Sequence, residues 1–283
     1  MNKLGFILVS IAILATGCNE QSVPLKGTVQ KEQLYANTLK DSVRYQIYLP
    51  NNYESNEIVY PILYLLHGHG GNEEDWFQAE EGNMGVILDS LINHELIPPV
   101  IAVTLNAGNS WYVDRPKPME TFYLDEFIPF IEQTYRVDAS LGRIAAGDSA
   151  GGYGALRFSL LKPSLFNNVI LLSPASYEPL PPAISSSRKI DAFAKDGIFN
   201  DSIWNAFSYT HRWENLKNAS NKPTYYLSVG DDDVFNIVPV VTTLQQRMIR
   251  DSIPNELRIT NGGHDWNCWQ RNVSEALTTI FSE

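Results

Sequence analysis

The chain reads as an α/β protein built on a doubly wound, mostly parallel sheet. Strand and helix signals alternate from about residue 40 to the end. Several strand runs are apolar throughout, as strands covered on both faces are. Glycine-rich loops follow four of those runs, where a parallel sheet gathers its reactive groups.

In order, "SVRYQIYLP" places Val43, Tyr45, Ile47 and Leu49 on one face, which predicts a half-exposed edge strand. "YPILYLLHG" is a continuous apolar run stopped by glycine and predicts a buried strand. A helix near Gly85–Asn93, a strand over Pro99–Leu105 and a helix around Thr121–Tyr135 follow. "RIAAG" and "NVILLS" are two more buried strands, flanking a helix over Tyr153–Leu161. "PTYYLSVG", a helix over Val238–Arg250, the strand "ELRIT" and a helix over Asn272–Phe281 complete the series. The stretch Glu178–Asn221 breaks the alternation. It is rich in proline and serine, then loosely helical, and predicts an insertion over one edge of the sheet, after the fifth or sixth core strand. No internal repeat or low-complexity block interrupts the series, so residues 27–283 are expected to form one domain.

The amino end is different. "MNKLGFILVSIAILATGC" carries one basic residue, Lys3, and an apolar run from Leu4 to Ala15 that is too short to span a bilayer. Residues 1–17 are therefore expected to be a signal peptide. "ATGC" resembles the bacterial lipobox, with Ala15 where leucine is usual and Leu14 one position earlier. That resemblance implies an acylated Cys18, a short lipidated tether over residues 18–26, and export to a bacterial membrane, at the outer membrane or cell surface. Cys268 is the other cysteine and is expected as a small buried apolar group. With 21 basic against 32 acidic residues, a net charge of −11 and no basic cluster, nucleic acid is excluded as a partner.

Four loops carry the candidate chemistry: 67–76, 147–152, 230–235 and 261–266. "RIAAGDSAGGYGAL" has neither the spacing nor the lysine of a phosphate cradle. It does have Gly147-x-Ser149-x-Gly151 between strand and helix, which makes Ser149 a candidate nucleophile on a strained turn. A serine needs a base, and that base needs an orienting group. Of five histidines, only His264 lies on a glycine-rich loop late enough to complete the order serine, acid, histidine. The acid is expected from Asp231, Asp232 and Asp233; Asp233, deepest in the loop, is preferred, with Asp232 second. Asp148 and Asp265 adjoin the candidates and are expected to point away. Backbone N–H groups of His69 and Ala150 are the candidate oxyanion donors. A competing pattern, His67-x-His69 with Glu73, Glu74 and Asp75, outlines a metal site, but Gly71 and Asn72 stand where the His-x-His-x-Asp-His arrangement needs its last two ligands. No cofactor is called for.

"LLHGHGG", "NSWYVD", "RIAAGDSAGGYGAL", "LSPA", "VGDDD" and "GGHDWNCW" occur in the order found in the esterase D-like branch of the α/β-hydrolases, which the chain resembles from about Lys40 to its end. The resemblance implies an α/β-hydrolase fold, Ser149, Asp233 and His264 as triad, and His69 and Ala150 at the oxyanion hole. It also implies a serine carboxylesterase for feruloyl or acetyl esters, with acylated carbohydrate or a small ester as partner. An acyltransferase with the same triad and a non-catalytic carbohydrate-binding lipoprotein are the alternatives. Ala150 stands where that branch usually carries methionine or leucine, and is expected to enlarge the acyl pocket. Trp111, Tyr112 and Trp266 are expected to form an aromatic wall for a sugar or phenolic ring, with Trp269 as wall or packing residue.

Overall fold

The computed structural model describes residues 26–282; the proposed signal peptide, Cys18 and nearly all of the tether lie outside them. Eight strands form one sheet in the order β1 (Thr28–Ala36), β2 (Asp41–Leu49), β4 (Ile101–Leu105), β3 (Ile62–Leu66), β5 (Arg143–Asp148), β6 (Asn168–Leu172), β9 (Thr224–Gly230) and β10 (Asn255–Thr260). The first two strands run antiparallel to their neighbours, and the pairs from β4 to β10 are all parallel. Each parallel connection needs a crossover, and the helices supply the covering layers. Helices α1 (Met84–Asn93) and α8 (Trp266–Ser282) cover one face. Helices α2 (Met119–Phe122), α3 (Ile128–Thr134), α4 (Ala150–Leu161) and α7 (Ile237–Arg250) cover the other.

The two-sided covering explains the unbroken apolar runs. In β3, Ile62, Tyr64 and Leu66 pack into one core and Leu63 and Leu65 into the other. The same division holds in β9, with Tyr225, Leu227 and Val229 on one side and Tyr226 on the opposite one. The helix expected around Thr121–Tyr135 spans α2, a π-helical turn at Tyr123–Phe127 and α3.

Two expectations need correction. The segment "SVRYQIYLP" is not an edge strand: β2 is second in the sheet, and Val43, Tyr45, Ile47, Tyr48 and Leu49 are all buried. The edge belongs to β1, whose polar alternation ("TVQKEQLYA") lacks an apolar face strong enough to announce a strand. The insertion sits after β6, but its main packing partner is helix α4 rather than a sheet edge. It contains the two-residue strands β7 (Ala194–Lys195) and β8 (Ile198–Phe199) and helices α5 (Asp201–Phe207) and α6 (Trp213–Lys217). Trp204 stacks on Tyr153 of α4 at 5.6 Å, and Phe193 meets both rings edge-on. The domain's first described residues are also fixed: the N–H groups of Lys26 and Gly27 donate to Asp89 at 2.7 and 2.9 Å.

Candidate active site

Strand β5 ends at Asp148 and helix α4 begins at Ala150, so Ser149 alone makes the turn. Its φ of 50° and ψ of −111° lie outside the allowed regions for a non-glycine residue, a strain worth on the order of 1–3 kcal/mol. Its backbone is held there: Ser149 N–H donates to Leu172 at 2.8 Å, and its carbonyl accepts from Ala175 at 2.9 Å. The flanking glycines make room. A Cβ at Gly147 would lie 2.3 Å from the Gly151 backbone, and one at Gly151 would lie 2.0 Å from the Leu66 carbonyl oxygen.

His264 stands on the loop between β10 and α8. Its Nδ1 is 2.7 Å from Asp233 Oδ2, and the other carboxylate oxygen of Asp233 accepts Phe235 N–H at 2.9 Å. The Asp233 side chain is fully buried. Phe235 and Trp269 meet the imidazole edge-on at 4.6 and 5.0 Å, and Trp269 is fixed by donating Nε1–H to Ser173 Oγ at 3.2 Å. A neutral imidazole that donates Nδ1–H to this carboxylate keeps its lone pair on Nε2, the tautomer that a general base requires. Ser149 and His264 line one cavity of about 510 Å³. The neighbouring aspartates are elsewhere: Asp231 and Asp232 are exposed, and Asp265 accepts Cys268 N–H at the start of α8. Cys268 is buried and forms no disulfide among the described residues.

Gly68, His69 and Gly70 form another part of the cavity wall, and Ala150 opens the first turn of α4 directly after Ser149. The loop around His69 is tied down by Asn109, which sequence reasoning did not single out, and by Trp111 and Tyr112, which it expected only as a substrate wall. Asn109 Oδ1 accepts Gly70 N–H at 2.8 Å, Tyr112 O–H donates to the His67 carbonyl at 3.1 Å, and Trp111 Nε1–H donates to His69 Nδ1 at 3.3 Å. His67 Nδ1 bonds the Gly68 carbonyl at 2.8 Å, and Nε2 accepts Ala107 N–H at 3.1 Å. Burial pushes the His67 pKa down to about 4, so the ring is neutral and both nitrogens are occupied within the protein. Burial, then the Lys189 charge, also lowers His69, which suits its Nδ1 as acceptor. Glu73 and Glu74 turn to Arg44 and Lys31. The His-x-His segment therefore serves as a braced backbone loop; of its three acids only Asp75 stays on the cavity, accepting Asn72 N–H at 3.1 Å.

The aromatic expectations divide. Trp111, Trp266 and Trp269 line the cavity. Tyr112 does not: it is 1% exposed and packs edge-on against Tyr123 and Phe158 in the core. Ala150 belongs to the core cluster and is not among the residues on the cavity surface; Ala175, Tyr177 and Phe235 build the apolar wall there. Tyr177 comes from the segment leading into the insertion, where no sequence motif marks it.

The remaining wall is acidic. Asp75, Glu81 and Asp148 line it together. Burial, with the nearby Asp75 charge, holds the Asp148 carboxyl well above the usual carboxylate range. Burial also raises Asp75 and Glu81, the latter further raised by Asp75.

Residues 36–280 match the family model described as "Putative esterase". An acetyl esterase of Caldicellulosiruptor saccharolyticus is 28% identical over 76% of this chain and 81% of its own length. An endo-1,4-beta-xylanase/feruloyl esterase of Xylanibacter ruminicola is 30% identical over 54% of this chain, which spans only 22% of that relative. Among solved structures, a ferulic acid esterase superposes with a TM-score of 0.74 at 28% identity, covering 92% of this chain and 99% of its own.

Proposed function

The chain belongs to the "Putative esterase" family of α/β-hydrolases, and from that premise we propose that it is a serine carboxylesterase acting on feruloyl or acetyl esters of plant polysaccharide or its oligosaccharides. The observation that carries this reading is the 2.7 Å His264–Asp233 bond in the same cavity as the strained Ser149. In the proposed reaction, Ser149 Oγ attacks the ester carbonyl while His264 Nε2 takes its proton, and Asp233 steadies the imidazolium. The negative oxygen of the tetrahedral intermediate lies against the N–H groups of His69 and Ala150. Collapse breaks the bond to the alcohol, which leaves with the proton from His264 and leaves the acyl group on Ser149. Water, deprotonated by His264, then attacks the acyl-enzyme, and its collapse restores Ser149 and releases the carboxylic acid.

The ferulic acid esterase and acetyl esterase likenesses support the acyl groups named. Trp111 and Trp266 supply aromatic surface suited to a phenolic ring or a sugar face. Replacing Ser149 with alanine is expected to lower hydrolysis of short aryl esters by ~10⁶ in kcat with the fold intact; retained activity refutes the nucleophile. Export and anchoring through Cys18 complete the proposal. On that reading Cys18→Ala moves the protein from the membrane to the soluble fraction, and an unchanged membrane fraction refutes the anchor.

A further inference from the structure

The cavity beside Ser149 has two unlike walls. Trp111, Ala175, Tyr177 and Phe235 form an apolar one, suited to an acyl group. Opposed to it in character, Asp75, Glu81 and Asp148 bring three carboxyl groups to a cavity that no lysine or arginine lines. None of the three is in an ion pair among the described residues. Asp148 is 2% exposed, and its Oδ1 has no hydrogen-bond partner; Glu81 Oε2 is buried and equally unpartnered. Carboxyl groups gathered and desolvated without a counter-charge are costly to keep, and natural sites hold them where a ligand compensates them.

From this wall we infer a subsite, formed by Asp75 and Glu81 and backed by Asp148, for a protonated amine on the alcohol portion of the ester. The inference rests on the ester-cleaving reading of the same cavity and names its substrate class: esters of amino sugars or amino alcohols. A neutral hydroxyl group answers the hydrogen-bonding capacity of these oxygens but leaves their mutual repulsion in place. An ammonium group answers both. The half-buried Trp266 lies on the same cavity, packed at near right angles to Trp76 and Trp269 at 5.2 Å each, and brings an aromatic ring of the kind that attracts cations. Burial first, and then neighbouring acids, raises Asp75, Glu81 and Asp148, and a bound ammonium would act against that shift.

The test is calorimetric binding to the Ser149→Ala protein, with two matched pairs: choline against 3,3-dimethylbutanol, and glucosamine against glucose. At least one cation is expected to bind about tenfold or more tightly than its neutral match. A choline preference marks a site led by the indole face; a glucosamine preference marks one led by carboxylate hydrogen bonds. In the Asp75→Asn/Glu81→Gln background, and in each single variant if the double variant does not fold, the preference is expected to shrink toward parity. Equal binding within both pairs, no detectable binding of either cation, or a preference that survives these substitutions overturns the subsite. Because binding is read without turnover, a wild-type protein that cleaves no ester while the Ser149→Ala protein still binds the ammonium compound would refute the catalytic proposal and not the subsite.

Discussion

Asp148 and Asp233 are both buried, at 2% and 9% exposure, and both accept backbone N–H groups, yet only Asp233 has a partner that can carry positive charge. Asp233 spends one oxygen on His264 and the other on the N–H of Phe235. Asp148 has an oxygen with no partner, faces Asp75 and Glu81, and is driven toward its protonated form by burial. The comparison teaches that burial alone assigns no role to a carboxylate. A partner that gains from the negative charge makes one useful for orienting a base, whereas like-charged neighbours make the other a cost in the unliganded protein.

The largest effect is expected on the paired side. Asp233→Asn keeps the shape but loses the carboxylate that fixes the Nδ1–H tautomer, and kcat for a short aryl ester is expected to fall by ~10⁴. A loss below tenfold, read by steady-state kinetics, would give the orienting role to another group. A smaller effect, on stability, is expected from Asp148→Asn. The folded-state pKa of Asp148 is raised, so the unfolded chain releases this proton at lower pH than the native protein does. The resulting penalty on folding is absent below the unfolded value and grows with pH until the native group titrates, by about 1.4 kcal/mol per pH unit. Asparagine removes it. The melting temperature of the variant should therefore exceed that of the wild type at pH 8 and converge with it near pH 4, at roughly 2–4 °C per kcal/mol. A difference independent of pH would mean that Asp148 is ionised in the native protein.

How much of this was legible in the sequence follows from the same physics. The parallel strands announced themselves because covering on both faces leaves unbroken apolar runs such as "YPILYLLHG". Ser149 and His264 were legible because glycines crowd the turns that present them, and Asp233 because it precedes "VFNIV", whose Phe235 packs on His264. Strand β1 was not, since an edge strand with polar residues on both faces carries no periodic apolar signal. Nor was Asn109, nor the bracing role of Tyr112, since their value lies in bonds to backbone atoms 39 and 45 residues away. The acid wall was hidden for a related reason. Glu81 looks like an ordinary solvated acid, and Asp75 like one more acid of the His-x-His segment, until the fold sets them beside Asp148.

The most direct test of the account is the rate and site of covalent labelling by a fluorophosphonate, followed by mass spectrometry in the wild type and in Asp233→Asn. One adduct per chain, on the peptide containing Ser149, is expected in the wild type, with a rate constant lower by at least ~10³ in the variant. An adduct at another residue, or an undiminished rate in the variant, would contradict the triad of Ser149, His264 and Asp233.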